Sequence, residues 1–230
     1  MNTESSSTLI ALVGGSGAGK TWLANRLCQE FGDEAIVLSL DDFYVDLSHL
    51  MLSERKQINF DHPDMIEWPL FESVLRELQN GVTVLTPRYD FVSHTRLTEW
   101  TPRSPRAFIF VEGLWPLRLP QVRELFDLRV FLDCPEVLRW QRRLARDVTG
   151  RSRTTESICE QFWNVVVPMH ERHVKSQKIW ADLTIEQPIS QSELARLITT
   201  VRALRTQPVP VPLEITSQTA APAVVVLQSL

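Results

Sequence analysis

The stretch Gly14-Gly15-Ser16-Gly17-Ala18-Gly19-Lys20-Thr21 limits what this chain can fold into more than any other. It matches G-x-x-x-x-G-K-[ST], the phosphate-binding P-loop. Its flanks suit the motif. Thr8 to Val13 is an apolar, β-prone run that predicts a buried strand, and Trp22 to Phe31 carries Leu23, Leu27 and Phe31 at helical spacing. Glycines let the backbone come close to an anion and take up positive φ without a Cβ clash. Backbone N–H groups and the helix N-terminus then face phosphate oxygens. In such a loop Lys20 reaches the β- and γ-phosphates and the Thr21 hydroxyl is placed for Mg²⁺. The loop alone implies a nucleoside triphosphate and nothing about its use.

The remaining strands are expected at Ala35–Leu40, Val82–Thr86, Ala107–Val111, Asp127–Asp133 and Ala181–Ile185. Helices are expected at Pro69–Asn80, Pro135–Val148, Thr155–Lys175 (with a kink at Pro168) and Ser190–Arg205. Alternating strands and helices predict an α/β domain with a mostly parallel sheet. A chain of 230 residues suits one such domain, here expected over residues 1–206. Residues 207–230, with Pro208, Pro210 and Pro212, read as a proline-rich, extended tail.

Net charge is −4, so no basic field calls for nucleic acid or a membrane surface. No run reaches the roughly 18 apolar residues of a membrane span. The polar N-terminus lacks the basic region of a signal peptide. Three scattered cysteines, Cys28, Cys134 and Cys159, fit neither a metal site nor a disulfide framework. Together these features predict a cytoplasmic protein.

Several polar residues stand where chemistry is expected. Ligands of open α/β sheets sit at the carboxyl ends of strands. Asp41-Asp42 ends the second strand, and Glu112-Gly113 ends an apolar strand in the manner of a Walker-B acid. An adjacent carboxylate pair also serves to cap a turn, so one of the two acids can be structural. Tyr89 to Arg96 mixes aromatic and charged side chains, which suits either a packed hairpin or the wall of a pocket for a flat polar ligand. Strand alternation puts Tyr89 and Phe91 on one side, and Phe60 from another segment can face them. In Pro135–Val148, Val137, Trp140, Leu144 and Val148 fall on one side, and Arg139, Arg142, Arg143 and Arg146 on the other. With Arg151 and Arg153 they make a local anion site, read here as a lid over the triphosphate.

These stretches resemble the uridine kinase (uridine–cytidine kinase) family of P-loop small-molecule kinases. The resemblance runs from Leu9 to about Ile185 and rests on the P-loop, Asp41-Asp42-Phe43-Tyr44, Asn59-Phe60-Asp61-His62-Pro63-Asp64, Tyr89-Asp90-Phe91-Val92-Ser93-His94-Thr95-Arg96, Glu112-Gly113, Arg142-Arg143-Leu144-Ala145-Arg146-Asp147 and Arg151-Ser152-Arg153. It implies a P-loop sheet with an arginine-bearing lid and a small β-rich nucleoside-binding insertion. It also implies transfer of a phosphoryl group from ATP or GTP to the 5′-hydroxyl of uridine and cytidine, with Mg²⁺. On that reading Asp41 accepts the hydroxyl proton, and Thr21 and Glu112 organise Mg²⁺ with Asp41 close by. Asp61 and Arg143 hold the ribose. Tyr44, Phe60, Tyr89, Phe91 and His94 surround the base. Arg146, Arg151 and Arg153 serve the lid, with Arg153 reaching the nucleoside. The family is commonly homotetrameric. Asp42 and Ser152 depart from its usual serine and glycine, and the proline-rich tail has no counterpart. The Asp-Asp-Phe pair also occurs in nicotinamide riboside kinases, which keeps that substrate open. Asp147-Val148-Thr149-Gly150 fits the D-x-x-G of GTP-binding switches but ends a helix, and no Asn-Lys-x-Asp motif accompanies it.

Overall fold

The computed structural model describes residues 6–150 and 154–206. Its centre is a five-stranded sheet in which every pairing is parallel. Strand β1, Thr8–Gly14, is buried along its whole length. That is what an uninterrupted apolar run does when helices cover both faces of a sheet. Leu9, Ala11 and Val13 pack into one core with Phe43, Phe71 and Trp115. Ile10 and Leu12 pack into the other with Leu23, Leu27, Leu197 and Val201.

From β1 the chain passes through the glycine loop into α1, Lys20–Phe31. Gly17 and Gly19 take φ of 80° and 93°, the left-handed region that favours glycine. Strand β2, Ala35–Ser39, follows and ends one residue before the sequence pattern suggests, because Leu40–Phe43 coils into a 3₁₀ turn. A long excursion then holds the short helix α2, Leu52–Arg55, and α3, Trp68–Gln79, with Pro69 in its first turn and Phe71, Val74, Leu75 and Leu78 buried. It continues through two small antiparallel pairs. Strand β3, Val84–Thr86, pairs with β6, Thr101–Arg103, and encloses β4, Tyr89–Asp90, paired with β5, Thr95–Arg96. The expected β-rich insertion is present.

Strand β7, Phe108–Gly113, returns to the sheet between β2 and β1. Ser39 and Glu112 are register partners, and so are Val13 and Gly113. The 3₁₀ turn after β2, the last residues of β7 and the glycine loop after β1 therefore converge at one edge. After α4, Pro120–Arg123, strand β8, Leu128–Asp133, leads to α5, Glu136–Gly150. The arginine side of α5 faces inward: Arg139, Arg143 and Asp147 are buried, whereas Val137 and Val148 are exposed.

Helix α6, Thr155–Gln161, continues through wide π turns at Phe162–Val166 and His170–Val174 on either side of α7, Val167–Met169. The chain stays helical past Pro168, since wide turns accommodate its missing N–H. The inner stripe steps by four residues through Ile158, Phe162 and Val166 and resumes at Val174, so Val166 takes the place expected for Val165. Strand β9, Leu183–Glu186, and α8, Gln191–Thr206, complete the domain. None of the helices described is long and apolar enough to cross a membrane.

Candidate active site

A cavity of about 550 Å³ opens at the convergent edge of the sheet. The phosphate loop contributes Ser16, Lys20 and Thr21, the turn after β2 contributes Asp41, and β7 contributes Glu112. Thr21 Oγ1 donates to Glu112 Oε1 at 3.2 Å, and Ser39 Oγ donates to the same oxygen at 2.9 Å. Ser39 went unread in the sequence; its signal is a hydroxyl at the end of a strand whose neighbour ends in an acid. Burial pushes the Glu112 carboxyl above its ordinary range, and the nearby Lys20 ammonium opposes the shift. Burial likewise pulls the Lys20 ammonium down, while Glu112 and Asp41 hold it up. Lys20 Nζ donates to the Gly15 carbonyl at 3.1 Å.

The two aspartates of the turn have different surroundings. Asp41 lines the cavity, and its buried Oδ1 has no hydrogen-bond partner among the described residues. Asp42 is turned toward β4, where its Oδ1 accepts from the Tyr89 N–H at 3.4 Å. Burial raises the Asp42 carboxyl, and the Tyr89 N–H opposes this.

The far wall is aromatic. Tyr44, Phe60, Tyr89, Phe91 and His94 all line it. Tyr89 and Phe91 meet edge-on at 5.4 Å, although β4 ends at Asp90 and Phe91 lies in the turn that follows, so strand alternation does not set the contact. Phe60 does not stand parallel to Tyr89; their rings lie 6.3 Å apart and tilted by 60°. Its parallel partner is His94, at 4.9 Å and 11°. His94 takes φ of 53°, a left-handed conformation that swings its ring back over Phe60. Tyr44 Oη donates to the Phe60 carbonyl at 2.9 Å and fixes that segment. Asp61 is buried beside these rings, and Lys56 and Ile58 complete the mouth.

The third side comes from α5 and α6. Arg143 donates to Ser16 Oγ at 2.8 Å and to Gln161 Oε1 at 2.9 Å, tying the phosphate loop to both helices. Asp147, fully buried, accepts from Arg146 Nε at 2.8 Å and lies 3.4 Å from Arg143 Nε. Gln161 and Ser157 also line the cavity, and nothing in their local pattern marked them beforehand. Arg139 is nearly fully buried against the outside of the loop. A Cβ on Gly15 would sit 3.0 Å from Arg139 Nη1 and 2.7 Å from His170 Nδ1. Burial, reinforced by Arg139, pulls the His170 imidazole down to about 4. Arg151 and Arg153 lie outside the described residues.

Among the described residues no three His, Cys, Asp or Glu side chains form a metal cage. Mg²⁺ needs none, since one or two carboxylates plus phosphate oxygens and waters hold it. The Thr21 hydroxyl, the Glu112 carboxylate and the unpartnered Asp41 Oδ1 around one cavity fit that donor set.

Residues 9–193 match the Phosphoribulokinase / Uridine kinase family. The chain belongs to this family. Uridine kinase of Staphylococcus carnosus is 38% identical to it over 194 residues, 84% of this chain and 93% of the relative. Uridine kinase of Clostridium perfringens is 37% identical over 179 residues, 77% and 86% of the two chains. Phosphoribulokinase from Rhodobacter spheroides shares the fold, with a TM-score of 0.61 at 18% identity over 80% of this chain and 71% of that one. Within the phosphoribulokinase/uridine kinase family fold, the loop, Asp41 and Glu112 occupy the P-loop side of the cavity, and the insertion between β2 and β7 builds the opposite wall.

Proposed function

We propose that the protein transfers the terminal phosphoryl group of ATP or GTP to the ribose 5′-hydroxyl of uridine and cytidine. The observation that carries this is one cavity shared by the phosphate loop, the Asp41 carboxylate, whose buried Oδ1 has no partner among the described residues, and a five-ring aromatic wall. Uridine kinases 37% and 38% identical over most of the chain support the same substrate class.

Phosphoryl transfer depends mostly on positioning and charge neutralisation. Asp41 orients the acceptor hydroxyl and takes its proton as the new P–O bond forms. Thr21, Glu112 and Asp41 would hold Mg²⁺, which would supply positive charge at the transferring phosphate. Lys20 and Arg146 add to it, together with Arg151. Asp61 and Arg143 hold the ribose hydroxyls, with Arg153 reaching the nucleoside. Tyr44, Phe60, Tyr89 and Phe91 enclose the base, and His94 reads its edge. A neutral imidazole accepts from the cytosine amino group through one nitrogen, or donates to the uracil carbonyl after a tautomer change.

The test is purified protein with Mg²⁺ and ATP against uridine, cytidine, nicotinamide riboside and pantothenate, with products read by mass. UMP and CMP are expected. Product from nicotinamide riboside alone would refute the pyrimidine reading.

A further inference from the structure

Arg139 stands near the start of α5 and does not line the cavity. It is 2% exposed. Its Nε and Nη1 are buried and have no hydrogen-bond partner among the described residues. Asp147 compensates Arg143 and Arg146 on the same helix, but no carboxylate among the described residues forms an ion pair with Arg139. Glu136, Glu171 and Asp133 reach it only through space. Of these, Glu171 and Asp133 are already engaged by Lys175 and Lys178, at 2.7 Å each. The Arg139 Cζ lies 5.9 Å from the centre of the Phe162 ring, at the outer reach of a cation–π contact.

What Arg139 does touch is the glycine loop. A Cβ on Gly15 would sit 3.0 Å from its Cδ and its Nη1, and a Cβ on Gly17 would sit 2.3 Å from its carbonyl oxygen. Side chain and backbone of one residue therefore meet the loop at two of its glycines. His170 shares the contact: its Nδ1 would lie 2.7 Å from the same Gly15 Cβ and is likewise buried without a partner among the described residues. Burial and Arg139 hold its imidazole neutral, so it brings no charge to the cluster near pH 7. A cation sealed from water without a counter-ion is a cost to the free protein. A guanidinium cannot shed its proton to escape that cost. An anion cradled by the same loop would offset it.

We propose that Arg139 is a positioning residue for the phosphate donor, a fixed cation behind the glycine loop whose counter-charge is the bound triphosphate; the inference rests on reading Gly14–Thr21 as a triphosphate loop. Arg139 acts across the backbone of Gly15 to Gly17 and touches neither substrate. Packing holds it in place before the donor arrives, so its field costs no reorganisation on binding. It feels charge and not the base, so it serves any polyphosphate. Two consequences separate this role from that of a plain packing residue. A neutral side chain of similar length ends an uncompensated burial, so removing the charge leaves the free protein no less stable. The same change weakens polyphosphate ligands, through the lost Coulomb attraction, and spares a neutral nucleoside.

The experiment compares the full chain with its Arg139→Met and Arg139→Lys variants. Thermal unfolding is followed without ligand, binding of Mg²⁺–ATP and Mg²⁺–tripolyphosphate by calorimetry, and the KM for uridine by steady-state kinetics. Arg139→Met is expected to keep or raise the melting temperature of the free chain, to weaken ATP and tripolyphosphate by a similar factor, and to leave the KM for uridine unchanged. That factor is roughly tenfold, as for one unit charge about 10 Å away at an effective dielectric of about 20. Arg139→Lys is expected to restore most of the loss. A lower free-state melting temperature in Arg139→Met, or failure of that variant to fold, would make Arg139 a packing support and overturn the proposal. Unchanged tripolyphosphate affinity in Arg139→Met would overturn it too, as would an equal loss in Arg139→Lys. Failure of the unaltered chain to bind either ATP or tripolyphosphate would overturn the reading of the loop itself, and the role of Arg139 with it.

Discussion

Replacing Asp147 with alanine removes the carboxylate 3.4 Å from Arg143 Nε on α5. Asp147 is fully buried and the Arg143 side chain is only 6% exposed, so the pair is cut off from water. Arg146, the other partner, is 45% exposed and can turn to solvent. The cost therefore falls on Arg143, which cannot shed its proton. Removing one member of a buried ion pair typically costs about 3–5 kcal/mol. Arg143 keeps its bonds to Ser16 and Gln161, which puts the expected loss at the lower end, about 3 kcal/mol. For a domain of this size that is a fall in melting temperature of about 6–12 °C. Thermal unfolding followed by circular dichroism measures it. Arg143→Met added to Asp147→Ala should recover part of the loss, since the stranded charge is then gone. Strictly additive effects in that double-mutant cycle, or a shift below about 2 °C for Asp147→Ala, would show that the pair does not hold α5 against the phosphate loop.

Asp41→Asn should retain nucleotide binding while turnover falls by roughly 10²–10⁴, and Asp42→Asn should do less; steady-state kinetics showing the reverse order would exchange their roles. Gly17→Ala should abolish detectable turnover and ATP binding, because a Cβ at φ of 80° would lie 2.3 Å from the Arg139 carbonyl oxygen; wild-type ATP affinity by calorimetry would contradict this. His170 has a folded-state pKa of about 4, below the ordinary 6.5. Its contribution is therefore complete above pH 6.5 and is lost as pH falls toward 4. His170→Phe should accordingly lose less stability than the parent between pH 7 and pH 4, by up to about 3 kcal/mol, as measured by urea unfolding. His94→Phe should spare ATP binding and lower kcat/KM for both uridine and cytidine; unchanged values would remove His94 from base recognition.

The phosphate loop, the order of strands and helices and the carboxylates at strand ends were legible in the sequence because each is a local pattern. Strand β1 is an uninterrupted apolar run, and Asp41 and Glu112 directly follow such runs. The arginine pattern of α5 gave an anion site over the phosphates, but not the burial of Arg139, Arg143 and Asp147 against the loop. Arginines on a helix ordinarily face water, yet here they cover the polar backbone of the glycine loop, with Asp147 among them to compensate their charge. The stripe beyond Ile158 drifted from the expected spacing because π turns widen the helix, and no residue type encodes such a turn. The stacking of His94 on Phe60 depends on one left-handed residue, which a strand pattern does not announce. Gln161 and Ser157 enter the cavity through packing between α5 and α6, a contact distant in sequence from the loop they serve.

Strands β2 and β7 are neighbours in the sheet, and everything that builds the aromatic wall is threaded between them. The phosphate loop, Asp41 and Glu112 sit instead at the ends of β1, β2 and β7, which lie side by side in the sheet. The ring wall and the phosphate-loop side of the cavity thus come from different stretches of chain, with Arg143 of α5 bonded to the loop between them. The five rings all lie in one continuous stretch, Tyr44 to His94, while Lys20, Thr21, Asp41 and Glu112 lie outside it. Substitutions that reshape the ring wall can therefore be confined to one crossover of the sheet, outside the phosphate loop.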